Sequence, residues 1–474
     1  MKPVNLTLVW VHFLLSFIAC TPDTAYDQYS LFSPDKKTEL ILSLQEGKPF
    51  YALRFANDTL ISQSPLGLIL SQDIKLAQQL QLDSISRSEV NETVFDHLGE
   101  RSSFPNHYQE MRAHLSVVSR PEYQLTLVFR AFNEGVAMRY FVPSLGANDT
   151  LGLLEEKTAF HFADKVDAFA EYGHEGMYER VTIGEVREKC EIPLLTLGEG
   201  YAAAINEAAL ENYSRMFLQP DTSARHALKV MLNSPVRLQA PFQTPWRVIQ
   251  LAETPGQLLD QNYLIQALAP PSRLADTSWI RAGKAMRVVT DLFTTEESRR
   301  VVDFVADKGL DYVEFDAGWY GKGYGIPNES DPESDASSVI RELDLHTVVD
   351  YVGDRGIGNI LYVSKVALEQ QIDAILPLYR DWGIAGLKFG FVDGRTQQGI
   401  NRTHAWVQKA AEHRMIVDIH DNYRPSGMSR TFPNLLTQEG IRGNEHMPTA
   451  THNTLLPFTR YISGAGDYTI CYLN

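Results

Sequence analysis

Residues able to do chemistry recur in this sequence at one kind of place, just past short apolar runs. Asp316 follows the run 310–315, Lys365 follows 359–364, Asp393 follows 386–392, His420 and Asp421 follow 415–419, and Glu439 follows 435–438. Glu445 comes six residues after Glu439, across Gly440 and Gly443. Taken singly, each reads as a solvated loop charge, because acids and bases are mostly exposed. Their repetition after successive runs points instead to the edge where parallel strands give way to loops, which is where α/β barrels place their chemistry. Two carboxylates on opposite sides of a bound sugar are what glycoside hydrolysis needs. One, kept protonated, donates to the leaving oxygen; the other activates water or attacks the anomeric carbon. Crowded carboxylates repel, and a bound cation is one way to keep them ionised and in place. Calcium, with its preference for oxygen ligands, suits such an acid-rich, cysteine-free site.

The elements that must position these residues differ between the two halves of the chain. Residues 27–255 alternate polar and apolar positions in short stretches such as 39–44 and 123–130, separated by turn residues at 33–35, 133–135 and 146–149. That spacing predicts a large β-sandwich. The Ala-rich stretch 201–212 is the one place there with helical patterning. Residues 256–285, with Pro270 and Pro271, read as a connector. From 286 to 474 strands alternate with helices, which predicts a parallel sheet with crossover helices, a (β/α)8-type barrel. About seven strands are countable, the last at 461–465, whereas a closed barrel needs eight. The barrel is therefore expected to be incomplete, cut short before its last strand, with an unpaired parallel edge.

Composition narrows the partners. A formal net charge of −16 argues against a nucleic-acid partner held by phosphate contacts. Lys2 followed by the apolar run 8–19 reads as an export signal over residues 1–20, too short to span a bilayer. Residues 17–20 resemble a bacterial lipoprotein signal with Cys20 as the lipid-bearing residue, alongside simple cleavage as the other reading. Either predicts a periplasmic or outer-membrane-anchored protein. With Cys190 and Cys471 the only other cysteines, a disulfide framework is excluded.

Four segments carry a family resemblance: 314–320 (EFDAGWY), 386–391 (GLKFGF), 420–427 (HDNYRPSG) and 433–445 (PNLLTQEGIRGNE). Together with 129–140 in the sandwich half, they resemble glycoside hydrolase family 97 over nearly the whole chain after the signal. The resemblance implies an exo-acting α-glycosidase, an α-glucosidase or α-galactosidase acting on oligosaccharides, with calcium in the active site, and the family's last barrel strand and C-terminal β domain are expected to be missing here. It implies that Glu445 is the general acid, that Glu439 is a calcium ligand, and that Asp421 stands where the inverting branch has a glutamate serving as base and ligand. Glu175, in the segment 171–178, matches the glutamate that the sandwich domain lends to the metal.

This sequence departs from the family pattern at two places. Gly390 stands where the retaining branch has its aspartate nucleophile, and the segment 362–366 lacks the acid of the inverting branch. Glycine at that strand end is expected to leave room for water at the anomeric centre. Inversion follows as the expectation, with Asp421 as base and Asp393 as the alternative. Asp316, Lys388, His420, Arg424 and Trp319 are the expected sugar-binding residues. Two other readings stay open: a carbohydrate-binding homologue without turnover, and a retaining α-galactosidase using Asp393.

Overall fold

The computed structural model describes residues 27–96, 98–145, 150–289, 292–320 and 335–470. The export signal with Cys20, the turn 146–149 and Cys471 lie outside them.

The first half is built of sandwich-like antiparallel sheets. A large sheet contains the long strands Ser103–Val117, Arg120–Phe132 and Gly135–Val142. A four-stranded sheet covers it, beginning at Gln28–Phe32 and ending at Asp58–Pro65. Alternate positions supply the core between them: Leu40, Leu42, Tyr51 and Leu53 from one side, Met111, Leu115, Leu125 and Phe129 from the other. The Ala-rich stretch is not a helix. Tyr201–Ala208 is a strand paired on both sides, with Leu194–Gly198 and Trp246–Ala252. Alanine's helix preference is worth only fractions of a kcal/mol per residue, and two ladders of hydrogen bonds override it. The connector contains the short helices Pro255–Asp260 and Tyr263–Leu268. Gly427 lets the second half approach the latter closely; a Cβ there would sit 2.3 Å from the Ile265 carbonyl oxygen.

The second half is one parallel sheet in consecutive order: Ala285–Val288, Tyr312–Phe315, Gly358–Ser364, Gly386–Gly390, Ile416–Ile419 and Leu435–Gln438. Crossover helices start at the caps the sequence supplies. The side chains of Thr294, Asp344, Ser364 and Thr396 each accept a first-turn N–H, and Gly309 and Gly383 end two of the helices in the left-handed conformation. The sheet holds six strands among the described residues rather than about seven. Residues 460–463 form a 3-10 turn, not a strand, because the Arg460 guanidinium gathers the carbonyls of Gln438, Glu439, Gly440, Gly464 and Ala465 around itself. The sheet curls: Arg287 in its first strand reaches Glu445, beyond its last strand, at 3.6 Å.

Candidate active site

The C-terminal ends of the six strands bring two groups of charged side chains together. The deeper group is nearly closed to solvent. Lys388 lies 3.0 Å from Glu314 and 3.3 Å from Asp316, and Arg287 also pairs with Asp316. Burial pushes the Asp316 carboxyl up, but the Lys388 and Arg287 charges win and hold it down at about 2. Burial opposes the Lys388 charge too, and the two acids raise its pKa well above the usual value. A lysine on a strand buried on both faces thus stays charged because two carboxylates surround it. Beside it, His420 Nε2 lies 2.7 Å from Asp467 and 3.0 Å from Asp418, while its Nδ1 lies 3.3 Å from Glu439. The acids keep His420 protonated despite burial and the Lys388 charge. Burial lifts the Asp418 carboxyl to about 7.

The shallower group is formed by the strand-edge loops and one sandwich loop. Glu175 belongs to two tight clusters, one with His174 and Asp421, the other with Glu445 and His446; within each, the candidate ligand atoms lie within 4.8 Å of one another. Arg395 donates to His174 Nδ1 at 3.1 Å, so that nitrogen must accept. The proton therefore sits on Nε2, which faces Glu175 at 3.2 Å. Burial raises the Glu175 carboxyl, but His174 and His446 outweigh it and the net shift is down. Asp421 and Glu445 go the other way. Burial, then the Glu439 charge, lifts Asp421 to about 6 and raises Glu445 as well. Asp421 sits in the left-handed region, φ 68°, and its carboxylate accepts the N–H of Phe391, itself at φ 59°. Two non-glycine residues held there facing each other mark stored strain of the kind found at functional sites.

Several expected site residues are positioned differently. Asp421 and Glu445 come together around Glu175, but Glu439 turns inward, accepting the Asp421 N–H at 2.8 Å and facing His420. Trp319 is fully buried, donates its indole N–H to the Tyr362 carbonyl at 2.8 Å, and packs edge-on to Tyr320 and Tyr379. It belongs to the core, not to a sugar platform. Arg424 is a clamp between the two halves: it donates to Glu171 at 2.6 Å and to the carbonyls of Ile192 and His174. Asp393 is engaged in its own loop, accepting from the backbone of Arg395 and Thr396 and from the Thr396 hydroxyl. Gly390 does not open space for water. The Tyr362 ring fills that side, and a Cβ on Gly390 would fall 2.1 Å from it. Other residues of the site were given no role by the sequence, among them Arg287 in the first strand and His446 beside Glu445. Glu314, Asp418 and His174 lie inside segments that carried other signals, and Asp467 follows the second half's final turn, where nothing in the sequence flags it.

A hard cation finds suitable donors here. Glu175 shares one cluster with Asp421 and His174 and another with Glu445 and His446, and Glu439 Oε1 is buried without a hydrogen-bond partner. Such a set favours an oxygen-seeking divalent ion.

A sandwich domain joined to a curled parallel sheet, with paired carboxylates at the strand ends, defines a glycosidase. The chain belongs to glycoside hydrolase family 97: residues 31–271 match the Glycosyl-hydrolase 97 N-terminal family and residues 279–441 match Glycoside hydrolase 97. It is 24% identical to a retaining alpha-galactosidase of Bacteroides thetaiotaomicron, over 96% of this chain and 75% of that one. A probable retaining alpha-galactosidase of Streptomyces bingchenggensis is 29% identical, over 87% of this chain and 64% of that one. The fold matches that of a family 97 enzyme from Pseudoalteromonas sp. strain K8 solved with acarbose, with a TM-score of 0.86 at 24% identity over 93% of this chain and 74% of that one. It also matches a beta-arabinopyranosidase, with a TM-score of 0.83 at 19% identity over 94% of this chain and 76% of that one.

Proposed function

We propose that this protein is an exo-acting α-glycosidase that removes a terminal α-linked galactose or glucose from oligosaccharides, with calcium bound and with inversion at the anomeric carbon. One observation carries the reading. Asp421 and Glu445 are carboxylates left partly open beside Glu175, while Glu314, Asp316, Asp393 and Glu171 are all engaged in ion pairs or caps. Glu445, whose pKa burial and the neighbouring Glu439 raise, gives a proton to the leaving oxygen. Asp421, held by the Phe391 N–H, takes a proton from the attacking water. Lys388 and Asp316, fixed against each other, present rigid hydrogen-bonding groups to sugar hydroxyls. Glu175, Asp421, Glu439 and Glu445 would hold calcium, which would neutralise their mutual repulsion and polarise what binds beside it. The six-stranded sheet is read as an arc of a (β/α)8-type barrel. The N-terminal segment supports export, periplasmic or anchored at Cys20.

The names of the curated relatives favour a second reading, retention, in which a carboxylate attacks the sugar directly. Hydrolysis of p-nitrophenyl α-galactoside and α-glucoside, with the first-formed anomer read by NMR, separates the two. Inversion predicts the β anomer first, with loss of turnover in Asp421→Asn and with azide rescuing Asp421→Ala as the β-glycosyl azide. Glu445→Gln should hurt these good-leaving-group aryl glycosides less than glycosides with poor leaving groups, which need protonation. The α anomer first would overturn inversion. Full activity after exhaustive chelation, with no metal by elemental analysis, would overturn the calcium assignment.

A further inference from the structure

Away from the active site, the large sandwich sheet gathers three arginines around one acid on the face turned from the main core. Arg112 and Arg139 lie opposite Val128, one on each side of it, and one row along Glu110 lies opposite Arg130. Residues two apart on a strand share a face, so all four do. Glu110 is engaged by two of the arginines, Arg112 at 2.7 Å and Arg130 at 2.8 Å. The third, Arg139, has no acid and no hydrogen-bond acceptor among the described residues. Its guanidinium lies 4.1 Å over the ring of Trp246, which Arg130 also approaches at 4.8 Å, and its Nε is shut off from water without a partner. Burial, then the charges of Arg130 and Arg112, lower its pKa to about 10. A chain with a net charge of −16 has acids to spare, yet none is set beside Arg139.

We propose that Arg139 and Arg112, with Val128 as the floor between them, bind an oxyanion group, a carboxylate or a sulfate. The two Cα atoms are two strand spacings apart, about 9–10 Å. Arginine side chains of that separation can converge on one group and hold it through forked N–H donors. An anion there would give the terminal N–H groups of Arg139 an acceptor and relieve the repulsion among three cations. It has two sources, a free inorganic anion or the acidic group of a sugar.

The test uses the full chain, its tryptophan fluorescence (Trp246 lies under the guanidinium) and calorimetry. Sodium sulfate is compared with sodium chloride at equal ionic strength, and glucuronate with glucose. Saturable binding of sulfate or glucuronate, without response to chloride or glucose, is expected. Arg139→Gln should weaken it about tenfold or more, the loss of one charge-assisted hydrogen bond, with glycosidase activity unchanged. Arg112→Gln, on a more exposed side chain, is the second variant and should weaken binding similarly. Glucuronate binding more tightly than sulfate identifies an acidic sugar, and the reverse identifies a free anion. Equal responses to sulfate and chloride, or unchanged binding in both variants, would overturn the proposal.

Discussion

Gly390→Ala probes the contact that most changes the reading of the strand ends. An added Cβ would fall 2.1 Å from Tyr362 Cε2 and 2.4 Å from its Cζ and Oη. Carbon atoms pack at about 3.5–4.0 Å, so the ring must retreat by about 1.4 Å. Tyr362 is 3% exposed, and its hydroxyl is buried without a partner. The ring has no solvent to move into, and overpacking of this kind costs about 1–3 kcal/mol. Shortening the ring with Tyr362→Ala costs about 3–5 kcal/mol on its own, from lost burial and the cavity left behind. The double variant should be no less stable than Tyr362→Ala alone, because the collision is gone. That gives a coupling of about 1–3 kcal/mol in a double-mutant cycle measured by urea unfolding. Simple additivity of the two costs, or a Gly390→Ala protein unfolding at the parent's urea concentration, would refute the packing argument. By the same geometry, an acid restored through Gly390→Asp requires Tyr362 to be shortened with it.

Two other outcomes follow from the buried charges. Arg424→Gln leaves Glu171 buried without its partner, so it should cost about 3–5 kcal/mol in stability with KM unchanged; a raised KM with unaltered melting would return Arg424 to the sugar. His404 is buried in the helix Gln397–Glu412, facing the Tyr423 hydroxyl at 2.7 Å, and burial lowers its pKa to about 4. The folded state therefore keeps His404 neutral while the unfolded chain takes up a proton below its usual value of about 6.5. Stability is whole above about pH 6.5 and falls as pH drops towards about 4, by up to about 3 kcal/mol from this group. His404→Gln should flatten that part of the pH–stability curve, and an unchanged slope would count against the assignment.

Much of the framework was legible because it rests on local rules. Thr294 announces a helix start, Gly383 announces an end, and apolar runs between helices mark strands buried on both faces. Local rules failed at 201–208, where alanines read as helix but pairing on both sides made a strand. They failed again at 460–463, where a buried arginine, rather than any turn signal, set the backbone.

For the site, the sequence by itself determined which residues stand at strand ends, and so put Asp316, Lys365, Asp393, His420, Asp421 and Glu439 along one edge, with Glu445 in the loop beyond and Lys388 inside a strand. It could not determine what each faces. Arg424 has the composition of a ligand-binding residue, yet it meets Glu171, 253 positions away, across the junction of the two halves. Trp319 has the chemistry of a sugar platform, yet the helix Lys365–Trp382 brings Tyr379 against it. Gly390 reads as empty space, yet the neighbouring strand's Tyr362 fills it. Spacing along a chain fixes the direction of a side chain relative to its own strand. Which atoms wait there is decided by elements far off in sequence, through packing that leaves almost no space unfilled.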